Sequence, residues 1–110
     1  MDEIEFRSHL KATYDRIEKG FEDVDPDVAE CLQSLGAMTI TLGDGSRCIL
    51  SAQPSVRQLW LALAAKGTAY HFDFESKSGT WIDDKTKKIE LRTFLETYLK
   101  EATGIEFQLK

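Results

Sequence analysis

An α/β two-layer sandwich is expected for this chain, with two terminal helices packed on one face of an antiparallel β-sheet. Two observations lead there. Apolar residues recur at helical spacing near both ends, and the stretch between them alternates with the two-residue period of strands, broken by short turns. Each helical stripe and the sheet have one apolar face to bury, and placing both helices on the same side of the sheet buries all three. The other sheet face is left to solvent. At 110 residues the chain is a single domain over 1–110, too short for two cores.

The first helix is marked by Phe6, Leu10, Tyr14, Ile17, Phe21 and Val24, at steps of three and four. Asp25-Pro26 is expected to end it, because proline restricts the residue before it. Carboxylates beyond that end would oppose the helix macrodipole. A first strand is expected near Glu30–Leu35, with no settled register. "AMTITL" sets Met38, Ile40 and Leu42 against Ala37, Thr39 and Thr41, and "GDGS" turns the chain into the partner strand "RCILS". After Gln53-Pro54-Ser55 comes the strand "QLWLA". "AYHFDFE" follows, with Tyr70, Phe72 and Phe74 inward and His71, Asp73 and Glu75 outward, and "SKSG" leads into "TWIDD". Consecutive strands with short turns make an antiparallel meander. Leu91, Phe94, Leu95, Tyr98, Leu99 and Ala102 mark the closing helix, with Gly104 as its terminator. Ile105, Phe107 and Leu109 alternate in the tail, which is expected to pack on the core through all three.

Composition narrows the function. Ten of nineteen acidic side chains lie in residues 1–30 against four of fourteen basic ones, a net of −6, while the remainder is +1. Such a chain repels nucleic acid and anionic membranes and suits cations or basic partners. A single-stranded RNA platform would need a basic sheet face, and no basic-aromatic string occurs. The longest apolar run, Leu59–Ala65, is far short of the ~20 residues that span a bilayer. The acidic opening "MDEIEF" fits neither a signal nor a transit peptide, so a cytoplasmic location is expected, or the mitochondrial matrix for a processed eukaryotic form. Cys31 and Cys48 form no Cys-x-x-Cys pair and read as small buried hydrophobes.

Catalytic groups are sparse. The chain has two histidines, His9 and His71, no Gly-rich phosphate loop and no His/Cys metal cluster. His71 is expected to be solvated, and Asp44, Asp83 and Asp84 to serve turns. The protein is therefore expected not to be an enzyme.

Two features remain. Asp15, Glu18, Glu22, Asp23, Asp25, Asp27 and Glu30 form an oxygen-only strip suited to hard cations bound loosely. The same strip can also be read as a solvated helix face. The second feature is Trp60. If Leu59 and Leu61 point into the core, Trp60 points out, near Gln53, Arg57 and Gln58. Outward aromatics and arginines anchor protein partners, and packing beneath a neighbouring loop is the alternative.

These pieces resemble the frataxin family. The similarity is carried by the acidic first helix, "TITLGDGSRCIL", "QPSVRQLWLA", "AYHFDF", "GTWID" and "ELRTFLETYL", and its most specific part is the Gln-x₄-Gln-hydrophobic-Trp-Leu string from Gln53 to Leu61. The resemblance implies the sandwich fold and a regulator of iron–sulfur cluster assembly. Such a regulator binds the cysteine desulfurase and its scaffold protein and holds iron, Fe2+ or Fe3+, weakly on an acidic ridge. It also implies an alternative, iron storage and detoxification with weak ferroxidase activity. A monomer is expected, or an iron-dependent oligomer. Carried over, Glu18, Glu22, Asp23 and Asp25 fall on the ridge, and Gln53, Gln58 and Trp60 on the partner-binding face. Three positions depart from the family pattern. Lys19 replaces a frequent carboxylate and weakens local cation attraction, Ser51 replaces a frequent Asn, and Pro54 comes one position early.

Overall fold

Residues 1–109 are described by a computed structural model of the chain. Helix α1 spans Glu3–Lys19. Asp2 caps it, its side chain accepting from the Glu5 amide at 2.8 Å. Glu3 and Glu5 sit in its first turn and Arg16 and Lys19 in its last, so both ends complement the macrodipole. This corrects two expectations. The helix stops six residues before Asp25, and its last turn is basic rather than acidic.

Gly20 is where the path changes. A Cβ there would lie 2.6 Å from Leu109 Cδ2 and 2.9 Å from the Gln108 carbonyl oxygen, so the tail packs where a side chain would stand. Beyond Gly20 the chain continues in tight turns, with Phe21, Glu22 and Val24 amides donating to the carbonyls three residues back. Those turns keep a near-helical spacing. Phe21 therefore still reaches the core and Val24 still packs against it, without helix.

Six strands follow: β1 Ala29–Ser34, β2 Ala37–Leu42, β3 Arg47–Gln53, β4 Gln58–Leu63, β5 Thr68–Glu75 and β6 Thr80–Asp83. They pair in sequence order, all antiparallel, as the expected meander. The turn after β2 is held by Asp44, whose Oδ1 accepts from both the amide and the hydroxyl of Ser46. The register lines residues into rows across the sheet. One inward row is Met38–Leu50–Leu61–Tyr70, and another is Ala52–Leu59–Phe72–Asp83. Met38, Ile40, Leu50, Leu59, Leu61 and Phe72 are fully buried.

Helix α2 spans Leu91–Thr103 and buries Leu91, Leu95, Tyr98 and Leu99. Gly104, at φ +76°, terminates it with its amide bonded to the Lys100 carbonyl. Both helices cover the same sheet face. Trp81 of β6 meets Phe6 edge-on, with ring centroids 6.0 Å apart, and its indole N–H donates to Thr13 Oγ1 at 2.8 Å. Tyr14 donates to the Gly36 carbonyl between β1 and β2. The tail packs through Phe107, against Phe21, and through Leu109, whose amide donates to Glu96. Ile105 is 37% exposed, which corrects the third expected anchor: it follows directly on the left-handed turn at Gly104, before the tail folds back. Lys110 lies outside the described residues. Cys48 is buried and Cys31 half-buried, both as free thiols. Burial pushes their pKa values up, to about 11 and about 12, so neither is a thiolate at neutral pH. Among the described residues no helix is long and apolar enough to cross a membrane.

Candidate functional site

The sheet face away from the helices carries its own rows: Ser34–Ala37–Ser51–Trp60–His71, then Leu32–Thr39–Ile49–Ala62–Ala69, and Gln53–Gln58–Asp73–Ile82. Neither helix covers this face. Trp60 stands near its centre on β4, pointing outward as its neighbours Leu59 and Leu61 point in.

Trp60 is half-buried and held on two sides. Its indole N–H donates to Gln58 Oε1 at 2.9 Å. Its ring stacks on the imidazole of His71, the cross-strand partner on β5, with centroids 4.1 Å apart and planes within 11°. Gln58 is itself fixed, its Nε2 donating to Asp73 at 3.1 Å and to Asp84 at 2.9 Å. Asp84 returns to His71: its amide donates to the His71 carbonyl, and its Oδ2 lies 3.9 Å from His71 Nδ1. Lys87 reaches Asp73 at 4.0 Å. The result is an aromatic platform whose rotamer is set before any partner arrives, and such preorganisation lowers the entropy lost on binding.

The structure therefore places Gln53, Gln58 and Trp60 together on one face. Gln53 and Gln58 are direct partners across β3 and β4. Arg57 behaves differently. It sits at φ +54° at the end of the Pro54–Val56 turn, and its guanidinium donates back to the Pro54 carbonyl. Its Nε is buried with no partner. Arg57 thus shapes the turn feeding β4. His71, Asp73 and Asp84 are members of the network that sequence reasoning missed as a group. The signal for them was partial: alternation put His71 and Asp73 outward on β5, but only the register sets them beside Trp60 and Gln58.

The carboxylate strip begins on α1 and runs past its end to β1. Asp15 is engaged, accepting from Lys11 Nζ at 3.1 Å and Gln33 Nε2 at 3.4 Å, and these hydrogen bonds hold its pKa below the ordinary carboxylate value. Gln33 also donates to Glu18 at 2.9 Å, so one β1 side chain ties two helix carboxylates to the sheet edge. Asp25 accepts from the Asp27 amide in a local turn. Glu22, Asp23 and Glu30 are exposed, and Glu18, Glu22 and Glu30 line a shallow groove between the end of α1 and β1. Among the described residues no three His, Cys, Asp or Glu side chains converge at metal-ligand spacing. The donor chemistry fits a hard cation held through oxygen, and the spread of the oxygens fits loose binding with most of the cation's water retained.

A family model described as a frataxin-like domain matches residues 1–105. The "Iron-sulfur cluster assembly protein CyaY" of Pseudomonas fluorescens (strain Pf0-1) is 33% identical over 110 residues, covering 100% of this chain and 96% of that protein. Among solved structures, frataxin from Psychromonas ingrahamii superposes with a TM-score of 0.88 at 24% identity, covering 100% of this chain and 99% of the other. Trimeric frataxin from Saccharomyces cerevisiae, complexed with ferrous iron, superposes with a TM-score of 0.64 at 21% identity, covering 96% and 88%.

Proposed function

Because this chain belongs to the frataxin-like family, we propose that it serves iron–sulfur cluster assembly as a non-catalytic, iron-binding regulator. Cluster assembly is the role that the names of its curated relatives carry. The finer reading has two parts. The open sheet face docks on the cysteine desulfurase and scaffold complex, with Trp60 as anchor. The carboxylates from Asp15 to Glu30 hold iron as loosely bound cargo and present negative charge to a basic partner. The setting is the cytoplasm, and the working unit is a monomer.

The observation that carries this reading is the fixed tryptophan. A solvated indole with no task has no need of a stacked His71 and a doubly anchored Gln58. An interface anchor gains from both. Trp60→Ala removes an outward side chain and leaves the inward rows untouched, so the fold should survive. Loss of a central interface tryptophan commonly costs ~2 kcal/mol or more, about thirtyfold in affinity. Surface plasmon resonance against the desulfurase–scaffold complex, with circular dichroism as the folding control, tests this. A folded Trp60→Ala protein that binds as tightly as the parent overturns the docking reading.

A further inference from the structure

A cleft of about 280 Å³ opens between α1, β6, the start of α2 and the tail, on the helix side of the molecule and away from the docking face. Its floor is apolar: Ile17, Trp81, Leu91 and Leu109 all line it, each no more than 3% exposed. The indole N–H of Trp81 already donates to Thr13, so the ring offers the cleft carbon rather than a donor. The rim carries two guanidinium groups, Arg16 from α1 and Arg92 from α2, and one carboxylate, Glu90.

The rim is net positive, in a chain of net charge −5. Among the described residues no carboxylate lies within ion-pair distance of Arg16. The acidic neighbour of Arg92 is Glu90, 3.9 Å from its Nε. The Glu90 carboxylate is committed elsewhere, accepting from the Arg92 and Thr93 amides and the Thr93 hydroxyl as the cap of α2. Two cations therefore flank one apolar cleft: Arg16 without a counter-charge among the described residues, and Arg92 beside a carboxylate that already accepts three hydrogen bonds.

We propose that this cleft binds a small aromatic carboxylate, its ring on the Trp81–Leu91 floor and its carboxylate between Arg16 and Arg92. The size suits a fragment-scale ligand, at the low end of known pockets. The planar guanidinium fork matches a carboxylate's two oxygens. A bare inorganic anion would use the rim and waste the floor, and a neutral aromatic would do the reverse. Both halves of the site are used only by a ligand that has both.

The probe is phenylacetate, titrated at constant ionic strength into ¹⁵N-labelled protein. Its neutral analogue phenylacetamide and the ringless acetate are run in parallel. Phenylacetate should move the Trp81 indole resonance and the amides of Ile17, Thr80 and Leu91. Phenylacetamide should bind roughly tenfold more weakly, because it loses the charge-assisted bonds. Acetate should leave these resonances in place. Arg16→Gln and Arg92→Gln each change a rim side chain outside the buried core, so both should fold. Each should weaken phenylacetate about fivefold or more, and the double variant should abolish it. Equal binding of phenylacetate and phenylacetamide overturns the proposal, as does unchanged binding by the folded double variant. Shifts spread over the surface, or none at all up to about 20 mM, a ceiling set by weak fragment affinity, overturn it as well.

Discussion

Asp83 shows how much one side chain can organise. It ends β6 on the inward row and is the buried charged residue of the described chain. One carboxylate oxygen accepts from the amides of Lys88 and Ile89, the other from the Thr86 amide, and the Thr86 hydroxyl reaches both. The loop carrying Asp84 and Lys87 to the Trp60 platform is thereby tied down. Burial pushes the Asp83 pKa up, but the hydrogen bonds from Thr86, Ile89 and Lys88 outweigh it and hold it at about 2, below the ordinary 3.8. A carboxylate depressed on folding contributes stability that is fully present above about pH 4 and is lost as pH falls toward 2. Asp83→Asn would turn an amide NH2 toward N–H donors. The variant should melt roughly 5 °C lower or more at pH 7, and its stability should fall less steeply between pH 4 and 2 than the parent's. Denaturant melts across that range check both. Equal acid slopes would mean that Asp83 is not the group responsible.

At the scale of elements, the closing tail locks the end of α1. Phe107 and Leu109 are buried, and burial of each contributes roughly 1.5–3 kcal/mol. Truncation after Gly104 should therefore lower the melting temperature by well over 5 °C, and an unchanged melting curve would contradict the packing. Gly20→Ala tests the same contact from the other side. The backbone there is ordinary, at φ −63°, so the cost comes from the close approach of Leu109 and the Gln108 carbonyl. Overpacking of this kind costs ~1–3 kcal/mol. In the truncated protein the same substitution should cost nothing, and a double-mutant cycle reads that coupling directly. The apolar spacing of α1 and α2 was legible in the chain, as was the alternation of β2, β4 and β5. The true end of α1 was not legible. Phe21 and Val24 keep helical spacing through successive three-residue turns, and periodicity cannot separate those from a continuing helix.

Over the whole molecule, charge and apolar contact are divided between surfaces. The acidic strip occupies the end of α1 and the edge strand β1, while Trp60 lies near the middle of the uncovered sheet face. Exposed carboxylates steer encounter more than they hold a complex. Glu22→Lys with Asp23→Lys should slow association with the desulfurase–scaffold complex, and that loss should shrink as salt rises and the Debye length falls below ~8 Å. The Trp60→Ala defect should appear in dissociation and persist in high salt. Surface plasmon resonance at low and high ionic strength separates the two, and a salt-independent defect in the charge-reversal variant would contradict the division. Anaerobic titration with Fe(II) should broaden amides within residues 15–30 first, with low and salt-sensitive affinity. Broadening confined to other residues would remove the ridge as the iron site.

Which face each side chain of β2, β4 and β5 occupies could be read from the chain alone. The two-residue and 3.6-residue periods depend on backbone geometry, and they place Leu59 and Leu61 inside and Trp60 outside without knowledge of any neighbour. The sandwich follows, because three one-sided elements have few ways to bury their apolar faces. Neighbours across elements were another matter. That His71 lies under Trp60, that Gln33 joins Asp15 to Glu18, and that Leu109 fills the space beside Gly20 all depend on how distant segments pair. A one-residue shift in strand register would leave composition and period unchanged and break the first two of these contacts, and the third depends on where the tail folds back on α1. The supports of Trp60 and the cleft beneath Arg16 and Arg92 are products of how distant segments meet.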